Sequence, residues 1–182
     1  YLDFSYNALT MDSFNGGAHF SQLTNLRALN LAGNDKLTGT IPAFFFDDSL
    51  PLESLNLENC SFTGDFPAIN TSNMYRIFVT NNSLDGTITM PIRYPALQTL
   101  RLGINSLHGS IPSAIFSTGN LQELSVKGNK LTGPIPSVAG TSYIGLLDLS
   151  DNDFDVCAEN PLFNETDIHG CYMTGISFCG LI

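Results

Sequence analysis

The stretch LQELSVKGNKLTGPIP, Leu121–Pro136, decides how this chain folds. Its first half alternates, with Leu124 and Val126 set between Glu123, Ser125 and Lys127. That is the period of a strand with one buried and one exposed face. The alternation stops at Gly128 and Asn129, and Gly133, Pro134 and Pro136 follow. So much Gly, Asn and Pro excludes a helix, while the apolar positions are too many for a solvated loop. A strand this short cannot bury its apolar face alone and needs neighbours of its own kind.

Those neighbours are present along the chain. LRALNLAGNDKLTGTIP begins at Leu26, LESLNLENCSFTGDFP at Leu52, MYRIFVTNNSLDGTI at Met74 and LQTLRLGINSLHGSIP at Leu97. IGLLDLSDNDF follows at Ile144, and YLDFSYNALT at Tyr1 is the tail of one more. Successive starts lie 22 to 26 residues apart. A period of roughly 20–29 with the pattern L-x-x-L-x-L-x-x-N/C-x-L is the leucine-rich repeat signature. Stacked in parallel, such units make one core and one long sheet. The column Asn7, Asn34, Asn82, Asn105, Asn129 and Asn152 falls where the chain leaves each strand. An inward amide there can pair backbone groups that would otherwise be buried without partners. Cys60 holds the same position in one repeat and reads as a small buried residue.

Beyond the Asn comes Leu-x-Gly-x-Ile-Pro or a close variant, at Leu37–Pro42, Phe62–Pro67, Leu107–Pro112 and Leu131–Pro136, with a partial copy in LDGTI. This half resembles the plant-type extracellular leucine-rich repeats, which implies an additional short strand per coil and a twisted solenoid. The expected fold is therefore an α/β solenoid, a right-handed leucine-rich repeat superhelix of about seven repeats with its parallel sheet on the concave face. It should be mostly strand and loop, with short 3₁₀ turns. Residues 1–155 form the solenoid, its first repeat partial, and 156–182 a cysteine-containing C-terminal cap. The first repeat departs from the second motif (ALTMDSFNGG), so the second sheet is not expected there. In FFFDDSLP, one or two of the three Phe belong to the core, and an exposed remainder would mark a contact patch.

Composition narrows the function. Of 182 residues, 43% are hydrophobic and 13% charged, which describes a globular chain. The net charge of −10 excludes a phosphate-neutralising nucleic-acid surface, and no apolar run approaches the ~20 residues of a membrane helix. Cys157, Cys171 and Cys179 cluster in the cap, where a disulfide would seal the end of the core. Cys157–Cys171 closes the most compact loop and is the first choice, with Cys157–Cys179 and Cys171–Cys179 open. Asn-x-Ser/Thr acceptors occur at Asn59, Asn70, Asn81 and Asn164. Together with the cap they point to the secretory route.

Catalytic and metal motifs are weak. His19, His108 and His169 are scattered, and DNDFDVCAENPL lacks the Gly and Glu of a calcium loop. Glu58, Glu123 and Asp148 belong to different repeats, so no carboxylate pair, metal or cofactor is expected. Outward positions of the main sheet offer more. They run from Tyr1, Asp3, Ser5 through Ala28, Asn30, Ala32 to Leu146, Asp148, Ser150. In the middle rows Arg76, Arg101 and Lys127 are three of only seven basic residues, with Phe78 beside them and Glu58 and Glu123 flanking. Arg and aromatic residues are enriched among binding anchors. The bland alternative is that Arg76 and Arg101 simply pair with Glu58 and Glu123.

As a whole the chain resembles the ectodomains of plant-type leucine-rich repeat receptors, receptor-like proteins and polygalacturonase-inhibiting proteins. The resemblance implies a secreted or cell-surface, non-enzymatic recognition module binding a protein, peptide or glycan on its concave face. A rival comes from the first coil, which begins inside a repeat. Leu2, Phe4 and Leu9 would then form an apolar edge, and copies would stack head to tail into a structural extracellular filament.

Overall fold

The computed structural model describes residues 1–13, 20–89, 96–117, 119–137 and 144–154, with the backbone of Cys171–Tyr172. Across them the chain winds as a solenoid of parallel strands. Leu2–Asp3, Ala28–Asn30, Ser54–Asn56, Arg76–Phe78, Thr99–Arg101, Glu123–Ser125, Leu146–Asp148 and Cys171–Tyr172 lie side by side in chain order as the main sheet. The central residues Leu29, Leu55, Ile77, Leu100, Leu124 and Leu147 are buried and stacked in register. Each fully buried aliphatic side chain contributes about 1.5–3 kcal/mol, so the column is a main source of cohesion between coils.

The Leu-x-Gly-x-Ile segments form a second sheet of Thr38–Gly39, Ser61–Phe66, Ser83–Ile88, His108–Gly109, Lys130–Gly133 and Asp153–Phe154. Among the described residues it begins in the second coil, as the departure of the first repeat from the motif suggests. Gly39, Gly64, Gly109 and Gly133 adopt φ near +80°, a geometry that costs a residue with a Cβ about 1–2 kcal/mol. In the LDGTI coil the register shifts between Gly64 and Phe66. There the Asp65 carboxylate accepts the Thr87 N–H at 2.9 Å, and Asp85 accepts the Gly64 N–H at 2.9 Å.

Between the sheets runs the asparagine ladder. Asn129 donates from Nδ2 to Val126 O in its own coil (2.8 Å) and to Leu102 O in the preceding one (3.1 Å). Its Oδ1 accepts the Leu107 N–H at 3.0 Å. Asn34, Asn82, Asn105 and Asn152 repeat the arrangement. Cys60 keeps only the donating half, from Sγ to Leu31 O at 3.4 Å. The acceptor it lacks is not needed, because the second coil has one residue more between Asn34 and Leu37 than the others have. That extra residue lets Leu37 N–H bond the carbonyl of Asn34 itself at 3.0 Å. The two departures from the repeat therefore compensate each other.

Immediately before the ladder each of the first seven coils turns through a left-handed residue: Tyr6, Gly33, Asn59, Asn81, Ile104, Gly128 and Asp151, with φ between 52° and 72°. On the opposite side, 3₁₀ turns occupy Phe20–Gln22, Ala43–Phe46 and Ser113–Phe116. Phe45 and Phe46 are fully buried. Phe44 is half-buried, its ring 4.5 Å from that of Phe45 and 5.8 Å from that of Phe20, so it is part of the wall and not a free contact patch.

Candidate functional site

Parallel register converts the exposed face of the main sheet into rows that cross the coils. One row reads Ser54, Arg76, Thr99, Glu123, Leu146, and the next reads Asn56, Phe78, Arg101, Ser125, Asp148. A third row, just past the strands, holds Glu58, Thr80, Gly103 and Lys127, whose carbonyls accept N–H groups from the preceding coil's turn.

The second row does two different jobs. In the first three coils and in the seventh it holds Asp3, Asn30, Asn56 and Asp148, and each side chain accepts the backbone N–H two residues on, at 2.9 to 3.2 Å, while the eighth coil places Tyr172 in the row. These are Asx caps that close the end of the strand. In the three middle coils the same position carries Phe78, Arg101 and Ser125 instead. The caps were not anticipated from sequence, although the recurrent Asp or Asn two residues before the end of the alternation was a visible signal. Of the other outward positions, Ala32, Gly103 and Ser150 are buried, Ser150 with its Oγ bonded to Asp148 Oδ1 at 2.6 Å.

Four of the expected residues come together. The Arg101 guanidinium lies 5.2 Å from the centre of the Phe78 ring and bonds Glu123 through Nε at 2.6 Å. That hydrogen bond above all raises the Arg101 pKa. Partial burial opposes the rise, and the charges of Glu123 and Glu58 add to it. The Glu58 charge thus acts on Arg101. The expected Arg76–Glu58 pair does not form: Arg76 is in register with Ser54, and Glu58 lies four residues further on, about 13 Å at strand rise. Glu123 reaches Arg101 because it sits only two positions away on the diagonal.

Among the described residues Arg76 has no carboxylate partner. It is exposed and stacks on its neighbour Tyr75, 5.1 Å from the ring centre. Lys127 stands apart from this group, loosely paired with Asp151 at 3.8 Å, both half-exposed. The half-exposed Arg101–Glu123 pair orients the guanidinium more than it stabilises the fold, since such pairs contribute about 0–1 kcal/mol.

Three acceptor asparagines are exposed: Asn70 in a loop, and Asn59 and Asn81 in the left-handed column beside the third row. Asn81 Nδ2 donates to Asn59 Oδ1 at 2.8 Å, so the two are stacked neighbours. Leu2 and Leu9 are half-buried against the core at the first coil, and Phe4 is 40% exposed there. Asn164, Cys157, Cys179, His19, His169, the boundary at 155/156 and the Cys171 side chain lie outside the described residues. No helix among the described residues is long and apolar enough to cross a membrane.

Known proteins share this architecture. The Leucine Rich Repeat family model matches residues 51–71 and 120–141. Receptor-like protein 35 of Arabidopsis thaliana is 36% identical over 176 residues, 92% of this chain and 18% of its own length. The chain therefore spans about a fifth of the length of curated relatives that it matches. Among solved structures, the Arabidopsis receptor kinase HAESA, in complex with a peptide hormone and a co-receptor, superposes with a TM-score of 0.78. It is 31% identical, over 88% of this chain and 27% of that one. A plant ice-binding protein superposes with a TM-score of 0.67 at 26% identity, over 90% of this chain and 53% of that one.

Proposed function

This chain belongs to the leucine-rich repeat proteins of the plant receptor-like type, and we propose that it is a non-enzymatic recognition module that binds a peptide or protein ligand outside the cell. The binding surface is the exposed face of the main sheet at its middle coils, with Arg76, Phe78, Arg101, Glu123, Glu58 and Lys127 as the contacting set. One observation carries this reading. The row that caps the strand in the first three coils and in the seventh is released from that task in three consecutive coils and given to Phe78, Arg101 and Ser125. Beside them stands an exposed, unpaired Arg76 in a chain of net charge −10. An unneutralised guanidinium next to an oriented Arg–aromatic pair suits an acidic, extended ligand.

Selection of phage-displayed random linear peptides on the immobilised chain tests the site. Enriched peptides are expected to lose binding to Arg76→Glu and Arg101→Glu and to keep it with Arg27→Glu, a basic residue outside these rows. A selection that yields no binders, or binders indifferent to both central substitutions, would sink the reading.

A second reading has its own observation. The second sheet exposes Thr38, Thr63 and Thr132, Thr40 is exposed just past its first strand, and the Thr40 and Thr87 methyls lie over Gly64 and Gly109 of the following coils. Such hydroxyl and methyl columns repeat at the inter-strand spacing of about 4.8 Å, and the ice-binding relative shares the solenoid. Asp65, Asp85 and His108 interrupt the columns, which places this reading second. Ice crystals coarsening in frozen droplets at the same rate with and without the chain would remove it.

A further inference from the structure

Ile104 is out of place by two independent measures. Its φ of +52° lies in the left-handed region, which a β-branched residue adopts only under strain. At the equivalent turn the other coils place Gly, Asn or Asp, apart from Tyr6, whose ring packs over Gly33. Ile104 is also 54% exposed, and the other exposed large apolar side chains among the described residues, Tyr1, Phe4 and Tyr6, all belong to the first coil. Strain and lost burial are both costs to the free chain.

The surroundings say what could offset them. In the third row Gly103 has no side chain where its neighbours carry Thr80 and Lys127. A Cβ at Gly128 would lie 3.8 Å from Ile104 Cγ1, so glycine there leaves the flank of Ile104 bare. Ile104 thus stands as a bare apolar side chain three residues beyond Arg101 in the chain, with Gly128 on its flank. Lys127, half-exposed and only loosely paired, borders it.

We propose that Ile104 is an apolar anchor of the ligand site. It packs against one aliphatic side chain of an extended peptide segment, with an acidic residue of that segment beside it facing Arg101 and Lys127. The inference rests on the recognition reading above and extends the site past the strand ends into the turn.

Peptides enriched on the wild-type chain are the probe, measured against Ile104→Asn, Ile104→Gly and Ile104→Val. Asn and Gly suit the left-handed turn, so both variants are expected to unfold at higher denaturant than wild type while binding the peptides about tenfold more weakly. Val keeps the branched apolar side chain and the strain, and it should bind within about threefold of wild type with no gain in stability. Peptides that bind Ile104→Asn as tightly as wild type, yet fail on Arg101→Glu, would overturn the anchor and leave the recognition surface standing. Failure to enrich any peptide would overturn both.

Discussion

Replacing Asn129 by alanine tests the ladder that joins the coils. The side chain is 8% exposed, and its four hydrogen bonds tie two coils together. The carbonyls it serves are not orphaned by its loss, because Leu102 O still accepts from Asn105 at 3.1 Å and Val126 O from Asn152 at 3.0 Å. The Leu107 N–H is in a different position, since Asn129 Oδ1 is its acceptor at 3.0 Å in a buried setting. An unsatisfied buried donor costs about 1–3 kcal/mol, and loss of the donated bonds adds about 1 kcal/mol. The expected destabilisation is therefore about 2–4 kcal/mol, which at ordinary urea sensitivity lowers the midpoint by about 1–2 M. Circular dichroism in urea reads the shift in a chain without Trp. Two controls set the scale. Asn7→Ala removes an exposed amide that bonds only its own turn, and should cost less than about 1 kcal/mol. Cys60→Asn should gain equally little, because Leu37 N–H is already held by the Asn34 carbonyl. An Asn129→Ala effect no larger than that of Asn7→Ala would refute the account of the ladder.

Three further outcomes follow from the geometry. A Cβ at Gly86 would run into the Asp65 carboxylate and lie 2.7 Å from the Asp65 Cα, so Gly86→Ala should cost about 1–3 kcal/mol. It should cost more than Gly39→Ala, where φ is unfavourable but the space is open; the reverse order in urea would contradict the packing of the register shift. Burial pushes the Cys60 thiol pKa up, outweighing the lowering by backbone N–H groups, so at mildly alkaline pH the thiolate is scarce and inaccessible. Mass mapping after iodoacetamide should find Cys60 unmodified in the folded chain and alkylated in denaturant; fast labelling without denaturant would refute its place in the ladder. If the edge bearing Leu2, Phe4 and Leu9 stacks on a second copy, the sedimenting mass will rise with concentration and Phe4→Glu will abolish the rise. A constant monomer mass would end the filament rival.

Most of the scaffold was legible in the letters because its instructions are local. The alternation at Leu124 and Val126, the Asn that follows and the Gly of positive φ each act within one coil, and repetition makes them visible. Outward residues are harder to read, because what Arg76 or Glu58 touches depends on the alignment of residues more than 20 positions apart. Placing Arg76 and Glu58 on adjacent strands was correct, and pairing them was not, because register separates them along the strand direction. Asp3, Asn30, Asn56 and Asp148 looked like surface residues and proved to be caps.

By itself, then, the sequence determined a stack of parallel coils, the buried columns, the Asn ladder and the type of protein to which the chain belongs. Tertiary structure decided which exposed side chains are tied up by the fold and which are not. It showed Phe78 and Arg101 relieved of the capping task, Arg76 without a carboxylate partner, and Ile104 held in a left-handed turn with its flank bare. The physical reason is that a repeat encodes contacts within a coil and to its like in the next. The pairing of residues that do not repeat exists only once the coils are stacked and their register is set.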